Sequence, residues 1–284
     1  MTPNLRGSLF MMAAMAGFAV EDAFVKLVSA HIAIGQAVTL MGLIGVAVFA
    51  VQALRAGDAP VPRAMFTRTM ALRSVFEITG RLFFALAVAL TPISTASAIL
   101  QASPLVVVLG AALIFGEKVG WKRWVLILTG FAGVLIILRP GLEGFSALSL
   151  LALIAMAGFS GRDLATRAAP PALSNAQLGV TGYIMLTLSG LILLAVTGGA
   201  QVPSMTAVAL VSGASLFGIA AYAALTTAMR TGSVAVVTPF RYARLPFAMI
   251  IGAVVFAERP DAATLIGSAV IVLCGIAILT HRSD

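Results

Sequence analysis

Charge is the scarcest property of this chain: only 10% of its 284 residues are Asp, Glu, Lys or Arg. A soluble globule draws about a quarter of its residues from that set to build a hydrated shell. With 61% hydrophobic residues and a mean hydropathy of +1.08, this chain has too little polar surface for that. Cysteine is nearly absent. The single Cys274 excludes an intrachain disulfide and lies within an apolar run. His31 and His281 stand alone near the ends of apolar stretches, so there is no metal spacing and no Ser/His or Cys/His nucleophile arrangement. No metal or other cofactor is expected, and a membrane-embedded enzyme is a remote alternative. A Walker-type phosphate loop is also missing, which argues against an ATP-driven pump.

What the chain has instead is apolar runs that recur from end to end, each long enough to cross a bilayer. The fold class expected is an all-α polytopic membrane protein. Windows of about 20 residues place ten helices near 5–29, 33–54, 68–90, 93–116, 121–139, 146–168, 175–197, 206–229, 232–257 and 262–281. Arg6, an apolar stretch and Ala14–Ala16 imitate a signal peptide. Glu21, Asp22 and Lys26 follow within spanning length, however, so an uncleaved first helix is expected.

The net charge of +8 comes from basic residues scattered around span ends, which fits topogenic charge and not nucleic-acid binding. With the N-terminus inside, the inner side holds Arg6, Arg55, Arg63, Arg68, Lys118, Lys122, Arg123, Arg167, Arg230 and Arg282. The outer side holds Lys26, Arg139 and Arg259. Both termini are therefore expected in the cytoplasm of a bacterium, with the chain in its inner membrane. Trp121 and Trp124 suit an interfacial belt at the inner start of the fifth helix.

The chain repeats itself. "AGFAVEDAFVK" (Ala16–Lys26) aligns with "AGFSGRDLATR" (Ala157–Arg167), 141 residues later, and "SVFEI" (Ser74–Ile78) with "SLFGI" (Ser215–Ile219). Glu117 meets Glu258 at the same offset, and Pro104 meets Pro246 after a one-residue slip. Residues 1–141 and 142–284 are thus read as two five-helix repeats forming one membrane domain. An odd number of helices per half inverts the second in the membrane. Inverted repeats can build similar gates on either side of a central site, the architecture of alternating-access carriers.

Each half also carries a proline inside its fourth helix and a glutamate at that helix's end: "QASPLVVVLGAALIFGEK" (Gln101–Lys118) and "ARLPFAMIIGAVVFAER" (Ala243–Arg259). A glycine-bearing closing helix follows each, "LTGFAGVLIIL" and "LCGIAIL". In this order and duplication the chain resembles the drug/metabolite transporter superfamily, in its ten-helix EamA-type branch. The resemblance implies a basket of helices around a central cavity and export of small metabolites, most typically amino acids, without ATP. Where many relatives carry a tryptophan-glycine pair in the first helix, this chain has Ala16-Gly17.

Charged side chains inside spans cost about 2.5–3.5 kcal/mol each on insertion scales and face a protein or aqueous interior. Arg73/Glu77, Glu77/Arg81, Asp22/Lys26 and Asp163/Arg167 are i,i+4 pairs of opposite sign. Arg241 and Arg244 have no carboxylate within a turn, so their partners are Glu21, Asp22, Glu77 or Asp163 on other helices, or a substrate carboxylate. Candidate cavity residues are Arg241, Arg244, Tyr242, Arg81, Glu77, Gln101, Tyr222 and Tyr183. Glu21, Asp22, Asp163 and Arg162 are candidates for proton coupling or gating. Pro104, Pro239 and Pro246 are expected to kink their helices.

The function expected is a secondary-active exporter of small metabolites, with amino acids (aromatic or other apolar ones among them) first. Nucleoside-like compounds, S-adenosylmethionine or cationic drugs are the alternative cargo, and a channel is a further alternative. The partners are a small-molecule substrate and the lipid bilayer. Oligomeric state is left open, with a monomer sufficient.

Overall fold

The computed structural model describes residues 2–100, 102–115, 121–138, 146–170, 172–231 and 237–280, which form helices and no strand. In chain order these are α1 (Pro3–Val28), α2 (Ile34–Arg55), α3 (Arg68–Leu90), α4 (Ile93–Leu100), α5 (Ser103–Phe115) and α6 (Trp121–Leu138). The second half holds α7 (Ser149–Arg167), α8 (Asn175–Thr197), α9 (Met205–Thr231), α10 (Arg244–Phe256) and α11 (Ala262–Thr280). Helix α10 is entered through a 3-10 helix, Thr238–Ala243, and a shorter 3-10 turn, Arg63–Phe66, precedes α3. Helices α4 and α5 share the fourth span, and the 3-10 helix and α10 share the ninth. The chain therefore has the ten spans that its apolar runs require.

Local chemistry sets several boundaries. The Thr2 hydroxyl accepts from the Leu5 amide, and Pro3 opens α1 where no amide donor is needed. Ser174 and Gln177 form a reciprocal capping box at the start of α8. Pro104 is the second residue of α5 and Pro246 the third of α10, so both stand in a first turn that begins anew after a break. Pro239 lies within the 3-10 helix. The fourth and ninth spans are thus interrupted helices; neither is a continuous helix bent at a proline.

The bundle is inside out relative to a soluble protein. Leu113, Val254 and Leu273 are 73%, 79% and 65% exposed, whereas Glu77 and Arg73 are 0% and 2% exposed. Among the described residues, α1, α2, α8 and α9 are long and apolar enough to cross a membrane by composition alone. Helices α3 and α7 have the length, at 23 and 19 residues, but carry the interior charges. Such side chains are tolerated in a bilayer because they face one another across the bundle axis and not the lipid.

Helix α1 packs along α9, and α3 packs along α7; α2 packs on α8, and α6 on α11. Exchanging the two halves converts the first pair into the second and maps the other two onto themselves, as a pseudo-two-fold relation demands. The match extends to single residues. A Cβ on Gly17 would stand 2.9 Å from Ala221 Cβ, and one on Gly158 would stand 2.8 Å from Gly80 Cα. Those two contacts are related by the 141-residue offset seen in the sequence. Glycine at either place lets the helices approach until backbone nearly touches backbone.

Candidate functional site

A cavity lies between α1, α3, α7 and the break in the ninth span, on the side of the bundle where α1 and α3 end and α2 begins. Its walls include Phe18, Glu21 and Asp22 from α1, and Arg81 and Phe84 from α3. Phe159 and Arg162 from α7 and Arg241 and Arg244 from the ninth span complete the polar part. Free room inside it is about 90 Å³, space for several waters.

Behind the cavity, each acidic side chain serves several cations. One carboxylate, that of Glu77, faces three arginines: Arg73 at 3.4 Å, Arg81 at 3.2 Å and Arg162 at 3.2 Å. Asp163 receives two hydrogen bonds from its neighbour Arg162, at 3.1 and 2.9 Å, and a further one from Arg241. Arg73 donates to the Tyr222 hydroxyl at 2.6 Å and to Thr166 Oγ1 at 2.9 Å. These contacts run without interruption from α9 through α3 and α7 to the 3-10 helix. They close the bundle on the side away from the cavity mouth.

Toward the mouth, Arg244 donates to Asp22 at 2.6 Å. Its guanidinium carbon lies over the rings of Phe18 and Phe84, 5.4 and 5.0 Å from their centroids. Arg81 lies 5.8 Å from the Tyr183 ring centroid and 5.6 Å from that of Tyr222. Arg162 lies 4.9 Å from the Phe159 ring centroid. Aromatic faces attract these cations, so the rings help to hold the guanidinium groups in place. Glu21 is the carboxylate most loosely held, 4.0 Å from Arg81.

The residues singled out from sequence separate into three sets. Arg81, Arg162, Arg241, Arg244, Glu21 and Asp22 line the cavity. Glu77, Asp163, Tyr183 and Tyr222 stand directly behind it and hold the lining arginines. Tyr242 is buried in the 3-10 helix without lining the cavity, and Gln101 lies outside the described residues.

One local pairing, Asp22 with Lys26, gives way to contacts across the bundle. Asp22 turns to Arg244 and not to Lys26, because the ninth span passes closer to it than the next turn of its own helix. Asp163 is held by Arg162 and Arg241; the side chain of Arg167 is outside the described set. Lys26 instead bonds Glu258 Oε1 at 3.0 Å and the Thr91 carbonyl at 3.0 Å, while the Ile93 amide donates to the same Glu258 oxygen at 2.9 Å. This cluster ties α1, the α3–α4 turn and the end of α10 together near the mouth. Sequence reasoning had both ends of it, since Lys26 closes the first helix and Glu258 the ninth, but no spacing rule joins residues 232 apart.

Phe18, Phe84, Phe159 and the Ser103–Ser160 hydrogen bond at 2.9 Å were also not legible in advance. A phenylalanine facing a cavity and one facing lipid look alike in an apolar run.

Residues 5–139 match the EamA-like transporter family. A riboflavin transporter of Brucella anthropi is 30% identical over 199 residues, 68% of this chain and 69% of that one. The chain belongs to the EamA-like transporter family. Among other family relatives, a riboflavin transporter of Vibrio cholerae is 33% identical over 191 residues, 67% of this chain and 63% of its own length. An S-adenosylmethionine uptake transporter of Rickettsia bellii is 24% identical over 201 residues, 71% of this chain and 68% of the other. A solved crystal structure superposes with a TM-score of 0.64 over 98% of both chains at 21% identity, which shows that the EamA-type fold seen here is shared.

Proposed function

We propose that this transporter is a secondary carrier for a small metabolite with a flat aromatic portion, moved by alternating access, with a flavin of the riboflavin class as first candidate. The observation that carries the reading is the cavity wall. Phe18, Phe84 and Phe159 alternate there with guanidinium planes that a planar heterocycle can stack against. Riboflavin transporters among the relatives at 30–33% identity support the same class.

The repeats 1–141 and 142–284 are the bodies that rock, and the site lies where they meet. With both termini in the cytoplasm of a bacterial inner membrane, the cavity belongs to the outer half. The arginine–carboxylate contacts behind it then form the inner barrier. The cargo moves down its own gradient or against a counter-moving solute.

Amino-acid export is the second reading, favoured by one arrangement. Arg244 and Arg81 stand in the same cavity as Glu21 and Asp22, so a carboxylate and an ammonium could both be held. A purely cationic cargo without a carboxylate suits this wall less, because four arginines line it against two carboxylates.

Counterflow in proteoliposomes decides between them. Liposomes preloaded with riboflavin should accumulate labelled riboflavin saturably, and Phe84→Ala should weaken that uptake. Accumulation driven by phenylalanine or leucine and not by riboflavin would favour the second reading. No counterflow with any of them would refute the carrier.

A further inference from the structure

Among the described residues, the interior charges of this transporter do not cancel. Arg73, Arg81, Arg162, Arg241 and Arg244 stand against Glu21, Asp22, Glu77 and Asp163. None of these nine side chains is more than 11% exposed. Among the described residues the bundle therefore encloses one positive charge in excess, and protonation of any of the carboxylates enlarges it. The Lys26–Glu258 pair near the mouth is neutral in itself and does not change the balance.

An uncompensated charge in a low-dielectric interior is strongly unfavourable unless a counter-charge meets it. The geometry shows where that counter-charge fits. Arg244 lies over the Phe18 and Phe84 rings and gives one end of its fork to Asp22, yet its buried Nε has no hydrogen-bond partner among the described residues. Arg81 is held through Nε by Glu77 and lies against two tyrosine rings, and its buried Nη2 likewise has no partner. Both residues line the cavity. The unpartnered N–H groups are what these two guanidiniums have left to offer a ligand. Edges recognise carboxylate or phosphate oxygens.

We infer that the cargo carries a net negative charge, a carboxylate or a phosphate, received by the free edges of Arg81 and Arg244 while its apolar part lies against Phe18 and Phe84. This rests on the reading that the cargo occupies this cavity, and within the flavin class proposed above it favours a phosphate-bearing flavin over neutral riboflavin.

Matched pairs that differ in charge test it. The full-length protein, purified in detergent, is titrated with flavin mononucleotide against riboflavin and with benzoate against benzamide, following the thermal unfolding midpoint. The anion of at least one pair should reach its half-maximal shift at a tenfold or more lower concentration than its neutral partner. The preference should disappear in Arg244→Gln and in Arg81→Gln and persist in Arg244→Lys. If a glutamine variant fails to fold, the wild-type pairs and the lysine variant still decide.

Equal or stronger stabilisation by both neutral members, no shift from any of the four, or a preference that survives both glutamine substitutions overturns the inference. Riboflavin counterflow without an anion preference sinks this inference alone. A benzoate preference without flavin counterflow sinks the flavin reading and leaves this one standing.

Discussion

Asp163 shows how strongly a single residue is committed in this interior. It is buried, follows Arg162 in the chain, and holds both that residue and Arg241 from the ninth span. Removing one partner of a buried ion pair leaves the other charge without compensation and costs about 3–5 kcal/mol. Asp163→Ala is therefore expected to lower the unfolding midpoint in detergent severely, and Arg241→Ala less so, because Arg162 still balances the carboxylate. The presence of these charges was legible in the sequence, since each interrupts an apolar run. The Arg73–Glu77–Arg81 series was legible too, because i,i+4 neighbours share a helix face whatever the surroundings. Which acid meets Arg241 or Arg244 was not. That depends on how the ninth span, redirected by its 3-10 entry, passes α1 and α7.

At the scale of elements, the glycine contacts and the cluster near the mouth make separate demands. Gly17 and Gly158 let α1 and α7 lie against α9 and α3, and a larger side chain at either has no room. Gly17→Leu and Gly158→Leu should each destabilise by about 1–3 kcal/mol through overpacking, and by similar amounts if the halves are equivalent there, as chemical or thermal unfolding would show. At the mouth, Glu258 bonds the Lys26 ammonium and the Ile93 amide with one oxygen. Glu258→Gln keeps the shape but removes the charge, a loss of about 1.5–3 kcal/mol for charge-assisted hydrogen bonds. Hydrogen exchange at Ile93 should accelerate roughly tenfold or more, with little change in α8, which lies away from the cluster. Helix positions were legible because bilayer thickness dictates their length. The breaks in the fourth and ninth spans were marked by prolines, but a proline alone does not separate a bend from a new helix start.

For the whole molecule, the internal repeat is the feature that sequence and structure express in the same terms. An offset of 141 residues relates two sequence segments, and the same offset relates the Gly17–Ala221 and Gly158–Gly80 contacts. The halves are not equivalent at the site: the second brings Arg241 and Arg244 to the break, where the first brings Ser103 and Pro104. Pseudo-symmetric halves around an asymmetric, positively charged cavity are what the proposed alternating access requires. The aromatic lining of the cavity had no sequence signature, because a phenylalanine facing a cavity and one facing lipid look alike in an apolar run.

Alternating access is the central claim, and cavity accessibility tests it most directly. Ser103 lines the cavity, and Cys274 is the single native thiol. In a Cys274→Ser background, Ser103→Cys should react with a membrane-impermeant maleimide in right-side-out and in inside-out vesicles, and saturating cargo should slow both reactions. Labelling from one face only, under every loading condition, would contradict the account.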